Sequence, residues 1–185
     1  MPRSLRADAQ ANQERLLDVA ARVFAREGAD TSLKAIAAEA EVGIGTLYRR
    51  FPTREDLIEA TYRSQTDQLC AAASALLDES DPVDALREWL ERFVDYMLTK
   101  QGMADALPAI LAARDGLRLH SREALLDAVT TLVAAGVAAG RLRPDASPSD
   151  ALMAIGGVTM ISGYEHQRDL ASRLIRLLLD GLVVS

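Results

Sequence analysis

Apolar residues recur at three- and four-residue steps along nearly the whole chain, a period that suits helices and little else. Leu16, Val19, Ala20, Val23 and Phe24 form one such stripe, and Leu86, Leu90, Phe93, Val94 and Met97 form another; at 3.6 residues per turn each set falls on one face of a helix. No segment alternates apolar and polar residues as a half-buried strand does. The expected fold class is therefore all-α. Helix starts are legible from chemistry. Asp81-Pro82-Val83-Asp84 and Ser147-Pro148-Ser149-Asp150 each offer a capping oxygen, a proline in the first turn and an acid near the positive helix end. Thr53-Arg54-Glu55-Asp56 has the same logic without the proline. Gly28, Gly102 and Gly140 read as stops. The spacing predicts about nine helices, over roughly 9–27, 32–39, 43–50, 54–79, 82–100, 103–115, 121–139, 148–166 and 168–183.

Composition excludes several functions. With 49% apolar and 26% charged residues in a chain of 185, the protein has enough hydrophobic surface for a core. No apolar stretch reaches the roughly 20 residues that span a bilayer, and polar residues stand where a secretory signal would need its apolar run. No membrane partner is expected, and a cytoplasmic location is. One cysteine, Cys70, and two isolated histidines, His120 and His166, leave little for redox or zinc chemistry; the cysteine reads as packing, and no metal or cofactor is expected. There is no Gly-x-Ser-x-Gly elbow or phosphate-binding loop. Gly43-Ile44-Gly45 has no strand before it, and Tyr48 stands where a dinucleotide fingerprint needs its third glycine. Catalysis thus has no footing. The net charge of −6 opposes nucleic-acid binding on its face, but the segment from Val42 to Arg54 contains no acid and carries Arg49, Arg50 and Arg54.

That cationic segment lies in a pattern of two short helices and a tight turn, from Ser32 to Phe51. Leu33, Ile36 and Ala37 supply one buried face, Val42 fills the angle, and Leu47 and Phe51 hold the second helix to the first. Ile44, Gly45, Thr46, Tyr48, Arg49 and Arg50 then face outward. An α-helix fits the major groove of B-DNA, and the second helix of such a motif reads base edges there.

Through these residues the chain resembles the TetR family of transcriptional regulators. The matching block is Ile36-Ala37 with Ala40, then Gly45-Thr46-Leu47-Tyr48-Arg49-Arg50-Phe51-Pro52 and Thr53-Arg54-Glu55-Asp56-Leu57. Leu16, Ala20, Phe24 and Gly28 fit the family's first helix, so the detailed resemblance covers about residues 10–62. The Gly140-Arg141-Leu142-Arg143-Pro144-Asp145 turn is similar to a loop in one branch of the family. The resemblance implies an N-terminal three-helix DNA-binding domain with a helix-turn-helix, residues 1–52, followed by a larger helical bundle for ligand binding and dimerisation, residues 53–185. It also implies that Ser32 touches phosphate at the start of the second helix, that Lys34 points towards a base or phosphate, and that Ile44, Gly45 and Thr46 line the leading end of the recognition helix. Tyr48 matches a phosphate-bonding tyrosine, Arg49 and Arg50 lie at base- or backbone-contacting positions, and Arg54 matches the basic residue opening the fourth helix. Where many relatives have glycine in the turn, this chain has Glu41, and Gly43 replaces the usual serine or threonine cap.

The later helices carry large or flexible apolar residues suited to enclosing a cavity in a bundle: Trp89, Phe93, Met97, Leu107, Ile110, Leu111, Leu125, Val129 and Met160. With few aromatic residues, the expected small-molecule effector is apolar or amphipathic. Small and aliphatic residues on the last two helices, among them Ala151, Ile155, Val158, Leu170, Leu174, Leu177 and Leu178, suit close helix pairing, and the resemblance implies that they form a homodimer interface. Two-fold pairing demands a pseudo-palindromic double-stranded operator. The expectation is a ligand-responsive repressor, released from DNA when the effector binds. The rivals are a helical protein-interaction module with vestigial DNA binding and a helical enzyme.

Overall fold

The computed structural model describes residues 2–114, 116–161 and 167–184. Among them are nine helices: α1 (Pro2–Glu27), α2 (Leu33–Glu39), α3 (Ile44–Arg50), α4 (Arg54–Glu79), α5 (Pro82–Gly102), α6 (Leu107–Ala113), α7 (Leu117–Ala138), α8 (Pro148–Ile161) and α9 (Gln167–Leu182). The fold is all-α with an N-terminal helix-turn-helix. Helix α8 is described to Ile161, and the end of the expected segment, with His166, lies outside the described residues.

The caps form as their chemistry requires. Thr53 Oγ1 accepts from the Asp56 N–H at 3.1 Å while Asp56 Oδ2 accepts from the Thr53 N–H at 3.1 Å, a reciprocal box at the start of α4. Asp81 Oδ1 accepts from the Val83 N–H at 3.0 Å, and Ser147 Oγ from the Asp150 N–H at 3.2 Å.

The chain divides into two compact units, the first made of residues 1–65 and 99–117 and the second of 66–98 and 118–185. Helices α4 and α5 each contribute to both. In the first unit α2 packs on α1 and α3 on α2. Leu16, Val19, Ala20, Val23 and Phe24 of α1 are buried, with Ile36, Ala37, Leu47, Leu57 and Ile58. Helix α5 runs two residues past its expected end, to Gly102. A Cβ on that residue would fall 2.1 Å from the Phe24 carbonyl oxygen, so the glycine is required by close approach to the α1 backbone. Helix α6 spans 107–113 where 103–115 was expected. Met103 to Ala106 form turns instead, and Pro108 sits in the first turn, where its missing N–H leaves no bond unmade. Gly116, at φ +79, lies between α6 and α7, and α7 starts four residues earlier than expected.

In the second unit Trp89 is fully buried, donating from Nε1 to the Leu69 carbonyl at 2.8 Å, and it stacks on Phe93 with ring centroids 5.8 Å apart. Helix α8 packs on α9, and Ala151 and Ile155 of the one and Ala171, Ile175 and Leu179 of the other are buried. Helix α9 is also tied to α5, by Arg168 with Asp95 and by Ser172 with Glu91. The loop before α8 pairs with the C-terminal segment through Arg143 N–H to Leu182 O at 2.9 Å and Val184 N–H to Arg141 O at 3.0 Å. Among the described residues no helix is long and apolar enough to cross a membrane.

Candidate nucleic-acid interface

Helix α2 ends in a Schellman turn. The Val42 N–H donates to Ala37 O at 2.9 Å and the Glu41 N–H to Ala38 O at 3.1 Å, which places Glu41 in the left-handed region at φ +57. The turn therefore has the geometry for which glycine is usual, in a residue that bears a Cβ, at a cost of about 1–2 kcal/mol. Glycine relieves that strain but loses more chain entropy on folding. Glu41→Gly is accordingly expected to stabilise the protein by about 0.5–1 kcal/mol, read as a higher urea midpoint. An unchanged or lower midpoint would mean that the Glu41 side chain offsets its own strain.

Gly43 then serves as the N-cap of α3, with no side-chain cap bond. Leu47 is the buried residue of α3 and fixes its rotation. Everything else on that helix, Ile44, Gly45, Thr46, Tyr48, Arg49 and Arg50, is exposed, Tyr48 to 49%. No atom lies within 4 Å of where a Gly45 Cβ would be, so its side of the helix is open. Ser32 caps α2 by position, yet its hydroxyl makes no cap bond; it and Lys34 are exposed beside the turn. All of these residues but Leu47 are open to solvent.

Arg54 departs from the expected pattern. It is half-buried, and its Nη1 donates to Ala29 O at 2.6 Å and Thr31 O at 2.5 Å. Those bonds hold the loop that leads into Ser32, so this guanidinium supports the reading surface from within.

Residues 16–61 match the profile of bacterial regulatory proteins of the tetR family, and residues 81–184 match the C-terminal domain of SbtR-like transcriptional regulators. The chain belongs to the TetR family. It is a transcriptional regulator by family, and not an enzyme. It is similar to a TetR regulator of Streptomyces coelicolor, at 46% identity and TM-score 0.86 over 92% of this chain and 98% of that one. A TetR regulator of Mycobacterium vanbaalenii aligns at 30% identity and TM-score 0.77 over 97% and 99% of the two chains. An HTH-type transcriptional regulator of Staphylococcus aureus is 41% identical over 118 residues, a match covering 63% of this chain and 62% of that protein.

In this TetR-family chain the expected effector-site residues are divided between the two units. Trp89, Phe93, Leu125 and Val129 are buried in the second unit, where Met97 is half-buried. Leu107, Ile110 and Leu111 belong to the first unit. Met160 is 78% exposed and walls no enclosed cavity within one chain. The expected interface divides similarly. Ala151 and Ile155, at 2% and 1% exposure, are buried within the chain itself. Val158, Leu170, Leu174 and Leu178 are half-buried, and Leu177 is 66% exposed. Met153, 64% exposed, was missed by sequence reading; its spacing of seven from Met160 puts the two on one face of α8.

Cys70 is half-buried, and burial first, then Asp67 and Asp127, push its thiol up to about 11. The thiol stays protonated at neutral pH and is a poor nucleophile.

Proposed function

We propose that the protein is a dimeric, ligand-responsive repressor that binds a pseudo-palindromic operator. The observation that carries this reading is α3 itself: one inward residue, Leu47, sets its rotation, and an acid-free face with Tyr48, Arg49 and Arg50 is turned to solvent. Ser32 and Lys34 extend that face at the start of α2. The division of labour proposed is residues 1–52 for reading DNA and 53–185 for sensing and pairing.

Pairing would use the outward apolar faces of α8 and α9. Two copies related by a two-fold axis would set their recognition helices about 34 Å apart, one turn of DNA. Effector binding would involve the aliphatic and aromatic residues of the second unit, Trp89, Phe93, Met97, Leu125 and Val129, and would favour apolar or amphipathic molecules. Helix α4 is one rod with residues in both units. An effector that displaces it changes the spacing of the two heads, so effector and operator oppose each other reciprocally.

The test is a mobility shift on a duplex from the region flanking its own gene, titrated with salt. The expected result is a retarded species whose affinity falls linearly in log–log form with salt, by about 0.9 per phosphate contacted. Failure to bind any duplex, even in dilute buffer, would favour the protein-interaction reading, to which Glu41 and the charge of −6 lend support.

A further inference from the structure

The first turns of α4 are held from a direction that local sequence does not reveal. Asp56, already engaged by Thr53 through Oδ2, faces Arg114 Nη2 with Oδ1 at 3.5 Å. One turn further, Glu59 accepts from Arg114 Nε through Oε2 at 2.8 Å and pairs with Arg63 through Oε1 at 2.9 Å. The Glu59 side chain is only 15% exposed, so these ions are shielded more than an ordinary surface pair. Arg114 comes from the far end of α6, where its own N–H closes the helix on Ile110 O at 3.0 Å. A single guanidinium thus spans two carboxylates three positions apart on α4. All of these residues lie within the first unit.

The same turns hold the reading surface. Arg54 binds the Ala29 and Thr31 carbonyls, Leu57 and Ile58 are fully buried, and Thr53 follows α3 after two residues. Without Arg114, Glu55, Asp56 and Glu59 would be three acids within five positions, with Arg54 already committed to carbonyls and Arg63 left to offset them. Their repulsion acts where α4 meets the helix-turn-helix. We infer that Arg114 is a positioning residue for DNA binding: bridging Asp56 and Glu59, it holds the first turns of α4, and through them α3, in the orientation that reading DNA requires.

The inference rests on the DNA-binding reading, and the experiment separates the two. Arg114→Ala, Arg114→Lys and the double variant Arg114→Ala with Glu59→Gln are compared with wild type. Amide hydrogen exchange is measured on the DNA-free protein, and affinity on a duplex that wild type selects from a random pool. Arg114→Ala is expected to exchange about threefold or more faster across residues 44–50 and 57–61, with residues 16–24 of α1 unchanged, and to bind DNA about three- to fivefold more weakly. Arg114→Lys, which keeps the cation, restores both readouts in part, and so does Glu59→Gln added to Arg114→Ala, which removes one of the acids left in repulsion. Unchanged exchange at α3, an equal rise throughout α1, or no recovery in either Arg114→Lys or the double variant would overturn the inference. If wild type selects no duplex, the proposed function falls, while the exchange data still decide whether Arg114 orients α3.

Discussion

Replacing Arg49 by alanine is expected to weaken operator binding more than tenfold while leaving folding and assembly in place. Arg49 is exposed in the last turn of α3 and makes no contact that the packing of that helix requires; Leu47 alone anchors it. Loss of an arginine that reaches a base edge costs about 1–3 kcal/mol per half-site, and a dimer loses it twice. On the folding side, only a favourable interaction with the negative helix end is removed, a few tenths of a kcal/mol, which is within the scatter of surface substitutions. Tyr48→Phe is the finer probe. It keeps the ring and deletes a hydroxyl expected on phosphate, for a loss of about 0.5–1.5 kcal/mol per site. Anisotropy titrations at several salt concentrations distinguish the roles. Loss of a cation on phosphate lowers the salt slope by about one unit and weakens all sequences alike, loss of the neutral Tyr48 hydroxyl weakens all sequences at an unchanged slope, and loss of a base contact relaxes specificity at one position. Wild-type affinity in both variants at every salt concentration would remove these residues from the interface.

The legibility of these features follows from the range of the interactions that produce them. Caps and prolines are local, so the starts of α4, α5 and α8 at Arg54, Pro82 and Pro148 were readable from Thr53, Asp81 and Ser147. The rotation of α3 was readable too, since Leu47 within it and Phe51 just after it are large apolar residues placed to hold it to α2. What escaped was set by distant partners. Gly102 reads as a helix stop, yet what demands it is the Phe24 carbonyl. Arg54 reads as a free cation and is occupied by two carbonyls from the loop after α1. Helix α8 is apolar or small on every side, so periodicity could not say which side meets α9; Ala151 and Ile155 turned inward and Met160 outward. The link from Arg114 to Glu59 left no local mark at all.

Leu177→Asp is expected to convert the protein to monomers. In one chain Leu177 is 66% exposed, on the same side of α9 as Leu170, Leu174 and Leu178; on α8, Met153 and Met160 are exposed to 64% and 78%. Residues so exposed contribute little to the chain's own core, so an acid there should not unfold it. In a two-fold interface each substitution enters twice. Each copy forfeits the roughly 1.5–3 kcal/mol that burying a leucine contributes, and adds a carboxylate that must be desolvated or excluded. Leu119→Asp on α7 is the matched control, an equally apolar residue 59% exposed on another helix. Sedimentation at micromolar concentration should give the 20.0 kDa of one chain for Leu177→Asp, while wild type and Leu119→Asp sediment as dimers. Separated heads lose the effective concentration that joins two half-sites, a factor of about 10²–10⁴, so operator affinity should collapse although α3 is untouched. Persistent dimers of Leu177→Asp alongside monomers of Leu119→Asp would place the interface on α7 instead.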